Sequence, residues 1–113
     1  MPNRKRRDVA VAGRFGRNLR RERRRESLTQ EELGRLAGLH RAEIGRLESG
    51  ERVPKIDTLI RLADSMGKPT AALLDGIYWL PAPPSVDRNL GTFTFSIGLD
   101  PLRREAPDLK SNE

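Results

Sequence analysis

Residues 29–50, TQEELGRLAGLHRAEIGRLESG, predict two short helices joined by a tight turn at Gly38. Thr29 can cap the first helix, and Glu32 stands three residues later in the capping-box position. Apolar residues follow at helical spacing, and Gly38 can adopt the positive φ that a sharp helix end requires. The second helix is expected over residues 40–48.

This second helix combines an apolar face with a basic face. At about 100° per residue, four positions fall within an arc of roughly 140°: Arg41, Gly45, Ala42 and Arg46. Ile44 and Leu47 point the other way and are expected to be buried. Arginine can donate two hydrogen bonds to O6 and N7 of guanine, and a small side chain such as that of alanine can contact a thymine methyl group. The pattern therefore predicts a helix that reads double-stranded DNA in the major groove, with Arg41, Ala42 and Arg46 at the bases.

Over residues 15–77 the sequence resembles the Cro/C1-type (XRE family) helix-turn-helix domain of phage repressors and bacterial regulators. The motifs that carry the resemblance are TQEEL at 29–33, Gly38, Ile44, Leu47 and ESG at 48–50. The resemblance implies an all-α, five-helix repressor-like bundle. It also implies a sequence-specific DNA-binding transcriptional regulator, with repression as the expected effect.

The resemblance assigns roles to three further residues. It implies that Gln30 contacts a DNA phosphate and that Glu48 forms an ion pair with Arg23. The sequence departs from the family pattern at Gly34, where alanine is usual and helix propensity is lowered by about 1 kcal/mol. It departs again at Glu22, where the family usually buries an aliphatic residue. Glu22 implies either a looser first helix or a carboxylate turned toward the neighbouring arginines.

Positive charge is concentrated at the start of the chain. The chain carries a net charge of +6, but residues 1–25 contain eleven Arg or Lys against Asp8 and Glu22, which gives this segment +9. An arginine-rich helix by itself is often only a solvated surface. Beside a DNA-reading pattern it favours contact with phosphates. The residues expected to contact phosphate are Gln30, His40, Arg4, Lys5, Arg6, Arg7 and Arg20.

Composition excludes several other classes of protein. The chain has no cysteine and one histidine, so disulfides, thiolate chemistry and a zinc site are not expected. No adjacent nucleophile and base or glycine-rich phosphate loop is present, which argues against an enzyme and against a bound cofactor. No apolar run approaches the roughly 18 residues of a membrane span, and no apolar segment follows the basic N-terminus. We therefore expect a cytoplasmic, nucleoid-associated protein without a membrane partner.

The chain is expected to divide into three parts. Residues 1–12 are interpreted as a basic disordered arm and residues 13–77 as the DNA-binding domain. Residues 78–113 are interpreted as a proline-rich linker, a strand at 92–97 and a disordered tail. The strand rests on alternating polar and apolar residues between glycines. It is expected to pair either with residues 77–80 or with its copy in another protomer.

Expectations for the remaining helices follow from apolar spacing. Phe15 and Leu19 are expected to anchor the first helix, which is placed at residues 13–26. The fourth helix is expected to turn apolar residues at spacings of three and four toward the core. These residues are Ile56, Leu59, Ile60, Ala63 and Met66. Glu43 lies at the margin of the DNA-reading arc and is expected to be exposed to solvent.

Two kinds of partner are consistent with residues 77–97. This segment is rich in aromatic and β-branched residues, and no intrachain partner is evident once a five-helix core is closed. It is therefore a candidate homodimer interface, and a regulator acting as a homodimer on DNA is the preferred interpretation. The alternative is an antitoxin-like DNA-binding protein that holds a partner protein through the same segment.

Overall fold

The computed structural model describes residues 4–81 and 91–95, with the side chains of 4–9 and 92–95 outside this description. Two compact units divide the chain, one within residues 1–75 and one within residues 76–113. The elements are α1 (Arg4–Arg25), α2 (Gln30–Ala37), α3 (Arg41–Glu48), α4 (Ile56–Ser65), α5 (Thr70–Leu73), β1 (Ile77–Leu80) and β2 (Thr92–Phe95). The predicted all-α, five-helix domain with a short β-containing extension is confirmed.

The first helix is longer than expected. α1 begins at Arg4, so residues 4–12 are helical, and the prediction of a disordered arm over 1–12 is wrong for them. No proline or glycine interrupts the chain between Arg4 and Gly13, and most residues there are good helix formers. Burial of Ala12, which is 2% exposed, further ties this part of α1 to the domain.

The predicted helix signals at α2 are confirmed. The Thr29 hydroxyl accepts a hydrogen bond from the Glu32 N–H at 3.0 Å, and the Glu32 carboxylate accepts one from the Thr29 N–H at 2.8 Å. The hydrogen bond from the Thr29 backbone N–H is the largest cause that lowers the pKa of Glu32. Gly38 ends the helix with φ 74°, in the left-handed region. The turn into α3 is therefore set by local chemistry.

The core of the helical unit is drawn from all five helices. Its buried apolar residues are Ala12, Phe15, Leu19, Leu33, Ala37, Ile44, Leu47, Leu62, Ala63, Met66 and Leu73. The expectation for α4 is wrong at Ile56 and Ile60, which are 75% and 51% exposed. The inward face of α4 instead centres on Leu62 and Ala63, with Met66 buried just after the helix, and both isoleucines lie to one side of this face.

Two glycines allow close packing of backbone on backbone. A Cβ at Gly16 of α1 would lie 2.5 Å from the carbonyl oxygens of Leu47 and Glu48, at the end of α3. A Cβ at Gly34 of α2 would lie 2.5 Å from the Leu39 carbonyl oxygen. Glycine at position 34 therefore lowers helix propensity but also permits packing, because the turn before α3 crosses α2 where a side chain of residue 34 would lie.

A buried asparagine joins α1 to the end of α5. Asn18, 1% exposed, donates hydrogen bonds from Nδ2 to the carbonyl oxygens of Leu73 and Asp75, both at 2.9 Å. Arg21 donates to the Ala72 carbonyl oxygen at 3.3 Å. Carbonyl groups at the end of a helix have no partner within it, so these donors complete α5.

The second unit contains an antiparallel β-hairpin. β1 pairs with β2 in the register Ile77↔Phe95 to Leu80↔Thr92. β2 confirms the predicted strand over 92–95, while residues 96–97 lie outside the described part. The strand pairs with residues 77–80 of its own chain, so the expectation that this segment lacks an intrachain partner is wrong.

Within the described residues, no helix is long and apolar enough to cross a membrane.

Candidate DNA interface

The two faces of α3 differ in burial. Ile44 is 0% exposed and Leu47 is 3% exposed, so one side of α3 packs into the core. Arg41, Ala42 and Arg46 are exposed on the other side. The structure thus presents together, on one short helix, the three side chains that the sequence assigned to base contacts.

A buried ion pair holds α3 against α1. Arg23 donates from Nε and Nη2 to the two carboxylate oxygens of Glu48, at 2.5 Å and 3.0 Å. Arg23 also donates to the Leu28 carbonyl oxygen at 2.8 Å. The side chains of Arg23 and Glu48 are only 11% and 3% exposed. The hydrogen bonds to Glu48 raise the pKa of Arg23, so its guanidinium stays positively charged.

Gln30 connects the start of α2 to this pair. Its Nε2 donates to Glu48 Oε1 at 3.1 Å. An open hollow of about 340 Å³ lies beside it, lined by Arg23, Thr29, Gln30, Glu31 and Arg41. The N-terminus of α2 and the first residue of α3 therefore border one concave surface. Gln30 is half-buried there, with its side chain fixed by Glu48.

His40 and Glu43 form a second capping arrangement; a capping role for His40 was expected, but sequence reasoning missed Glu43 as its partner. His40 precedes α3, is exposed, and donates its backbone N–H to a Glu43 carboxylate oxygen at 3.0 Å. Arg52 stands 4.0 Å from the other carboxylate oxygen. Glu43 is half-buried rather than fully exposed. The signal was present, because Glu43 follows His40 by the same three residues that separate Glu32 from Thr29.

α1 carries an outward-facing row of arginines. Arg17, Arg20 and Arg24 are exposed, and their side chains make no hydrogen bond or ion pair with a described residue. Their spacing of three and four residues places them on one face of the helix. The helix also presents them to solvent without a neutralising carboxylate. Arg4, Lys5, Arg6 and Arg7 begin the same helix, but their side chains lie outside the described part.

Glu22 is buried among basic side chains. It is 3% exposed, and its carboxylate lies 3.0 Å from Arg21 Nε, 3.1 Å from Arg25 Nη1 and 3.4 Å from Lys68 Nζ. Burial alone would raise the pKa of Glu22, but the hydrogen bonds from Arg21 and Lys68 and the charge of Arg25 outweigh it and lower that pKa. Of the two sequence-based alternatives, the structure shows the carboxylate turned toward arginines.

Metal ligands do not cluster in the described part of the chain: no group of three or more His, Cys, Asp or Glu residues there could hold an ion. What the helical unit presents instead is a short helix with a buried apolar side and an exposed arginine side. A preceding capped helix borders the start of that short helix. This arrangement defines a helix-turn-helix DNA-binding domain.

A sequence model of the helix-turn-helix family matches residues 19–73, and the chain belongs to this HTH_3 (XRE-type) family. The protein is thus a DNA-binding transcriptional regulator rather than an enzyme. The family assignment predicted from TQEEL, Gly38 and the end of α3 is confirmed. No curated protein matches the chain.

Solved structures of regulators share the fold. The restriction-modification controller protein C.AhdI from Aeromonas hydrophila is 33% identical, with a TM-score of 0.55 over 57% of this chain and 97% of that one. An HTH_3 family transcriptional regulator from Vibrio cholerae is 27% identical, with a TM-score of 0.56 over 58% of this chain and 37% of that one. The competence regulator ComR from Streptococcus vestibularis is 31% identical, with a TM-score of 0.53 over 57% and 22%. The chain thus spans less than half the length of the last two.

Proposed function

We propose that this protein is a sequence-specific regulator that reads double-stranded DNA with α3 in the major groove and represses transcription. The observation that carries the proposal is the exposure of Arg41, Ala42 and Arg46 opposite the buried Ile44 and Leu47. Arginine can recognise guanine through two hydrogen bonds, and the alanine methyl group can contact thymine. The similarity to C.AhdI, a controller protein, agrees with a regulatory role.

In this proposal, a second group of residues positions the domain on phosphates. Gln30 has a side chain held by Glu48 at the start of α2, and the positive end of that helix dipole favours an anion. His40 is exposed next to α3, and Arg20 belongs to the unpaired arginine row of α1. The basic residues that begin α1 add to this set. They are Arg4, Lys5, Arg6 and Arg7.

The test is a comparison of sequence discrimination among arginine variants. Duplexes enriched from a random pool by the unchanged protein are compared with random duplexes for Arg41→Ala and Arg46→Ala. Each guanine contact is worth about 1 to 3 kcal/mol of discrimination. We therefore expect each variant to lose preference for the enriched site while keeping much of its affinity for random DNA.

A matched control is Arg61→Ala, because Arg61 is an exposed arginine on α4 that is paired with Asp57. This control should leave discrimination unchanged. Equal proportional loss on enriched and random duplexes for both α3 variants would show that Arg41 and Arg46 only position the domain. Enrichment of no sequence by the unchanged protein would contradict sequence-specific regulation.

We further propose that the protein acts as a homodimer on DNA in the cytoplasm, associated with the nucleoid. One recognition helix spans only a few base pairs, whereas a two-fold dimer doubles the sequence that is read. Enriched sites should then be palindromic, with half-sites about 34 Å apart. Light scattering at DNA-binding concentrations should give twice the chain mass, and a reporter with the site over its promoter should be repressed.

Binding of a partner protein through residues 77–97, as in an antitoxin, is a second candidate function. It is favoured by the division of the chain into two compact units and by Trp79, which is 42% exposed. Trp79→Ala should then weaken capture of a partner encoded beside the gene while leaving DNA affinity unchanged. Equal capture of that partner by Trp79→Ala and by the unchanged protein would argue against this role.

A further inference from the structure

Gly45 is a glycine inside α3 that the described part of the protein does not require. Glycine within a helix lowers helix stability relative to alanine. Gly16 and Gly34 are explained by packing, since a Cβ at either would lie 2.5 Å from a backbone oxygen. A Cβ at Gly45 would meet only the Gln30 side-chain amide, at 3.8 Å and 3.9 Å, which is ordinary van der Waals contact.

Backbone conformation gives no reason for the glycine either. Among the described residues, the glycines with positive φ are Gly38, Gly50, Gly67 and Gly76, and Gly45 is not one of them. It lies within the regular helix Arg41–Glu48, where any L-residue can adopt the backbone angles. Both ordinary structural reasons for a helical glycine are therefore missing at this position.

Position on the helix indicates what Gly45 faces. Counting about 100° per residue, Gly45 lies roughly 40° from Arg41 and 100° from Arg46, between the two arginines. The buried Ile44 and Leu47 point away from this side. Gly45 is therefore at the middle of the surface that the proposed function turns toward base pairs.

We propose that Gly45 determines specificity by setting the closest approach between α3 and the floor of the DNA major groove. This inference rests on the proposed function. Without a Cβ, the helix backbone can move nearer to the base edges, so Arg41 and Arg46 reach guanine within hydrogen-bond distance. A side chain at this position holds α3 away, and hydrogen bonds weaken steeply once they are lengthened or bent.

The experiment compares Gly45→Ala with Gly13→Ala in the full chain. Gly13 is also inside a helix, and a Cβ there would meet nothing within 4 Å. Both variants should melt at or above the temperature of the unchanged protein, because alanine favours helix. Gly45→Ala should bind the enriched duplex at least about tenfold more weakly, where tenfold corresponds to 1.4 kcal/mol, and Gly13→Ala should bind as the unchanged protein does.

Affinity for random duplexes separates the possible results. Gly45→Ala is expected to lose less affinity for random DNA than for the enriched site, because phosphate contacts carry no sequence information. Undiminished binding of the enriched site by Gly45→Ala would overturn the inference and leave the proposed function standing. A lower melting temperature for Gly45→Ala would also overturn it, since packing would then require the glycine. Failure of the unchanged protein to prefer any duplex would instead overturn the proposed function.

Discussion

Glu48 is the carboxylate on which the contact between α1 and α3 depends. It accepts two hydrogen bonds from Arg23 and one from Gln30 while only 3% of its side chain is exposed. Glu48→Ala leaves the buried Arg23 charge without a carboxylate to neutralise it, which typically costs about 3 to 5 kcal/mol. We expect a marked fall in the free energy of unfolding, measured by denaturant titration.

Two further variants separate this ion pair from a general loss of charge. Glu51→Ala, on an exposed residue, should change stability by less than about 0.5 kcal/mol. Replacing both partners by apolar residues, Arg23→Met with Glu48→Leu, should be less harmful than Glu48→Ala, since this pair then leaves no unpaired buried charge. A Glu48→Ala protein as stable as the unchanged protein would show that the ion pair contributes little to stability.

Glu22 makes stability depend on pH in a defined direction. Its folded pKa lies below the unfolded value of 4.5, so its contribution is complete at neutral pH and is lost as pH falls through the folded pKa. Glu22→Gln should lower the free energy of unfolding at pH 7 by about 1.5 to 3 kcal/mol, the range for hydrogen bonds to charged groups. The difference from the unchanged protein should shrink in acid.

The comparison for this pH series is Glu26→Gln. Glu26 is more exposed than Glu22, and Lys68 is the one basic side chain that both carboxylates contact. The hydrogen bond to Glu26 is the largest cause that raises the pKa of Lys68. Its effect at pH 7 should be smaller than that of Glu22→Gln. Parallel stability curves for Glu22→Gln and the unchanged protein from pH 7 to pH 3 would contradict the assignment.

At the scale of the elements, α1 and α3 can pack only because Gly16 lacks a side chain. A Cβ there would meet two carbonyl oxygens at 2.5 Å, and carbonyl oxygens of a helix cannot turn aside as a side chain can. Gly16→Ala should therefore destabilise the domain by about 1 to 3 kcal/mol, as other overpacked interiors do. Thermal unfolding of Gly16→Ala and Gly13→Ala measures this. Equal melting temperatures for the two variants would show that α1 and α3 can move apart at little cost in stability.

For the whole molecule, the arginine row of α1 should govern the salt dependence of DNA binding. Each phosphate contact steepens the slope of log K against log salt by about 0.9. Replacing Arg17, Arg20 and Arg24 by Gln should flatten that slope by about 0.9 for each arginine that contacts phosphate, equally on all sequences. Titrations on enriched and random duplexes measure this. Arg61→Gln is the control, and an unchanged slope in the triple variant would exclude the row from the interface.

Features that depend on neighbours in the chain were determined by the sequence itself. The capping box of Thr29 and Glu32, the left-handed Gly38 and the two faces of α3 all follow from residues 29–50 alone. Each is local, because hydrogen bonds and side chains three or four residues apart meet on the same helix. The helix-turn-helix and the exposed Arg41 could therefore be found in one short stretch.

Features that depend on distant segments were decided only by the tertiary structure. Lys68, far from Glu22 in the chain, completes the neutralisation that permits its burial. Helical spacing could not show that Ile56 and Ile60 lie outside the core, because a helix is amphipathic only with respect to what packs on it. The three glycines at 16, 34 and 45 look alike in sequence. Folding brings backbone atoms close to Gly16 and Gly34 but not to Gly45. Packing therefore requires glycine at the first two positions and not at the third.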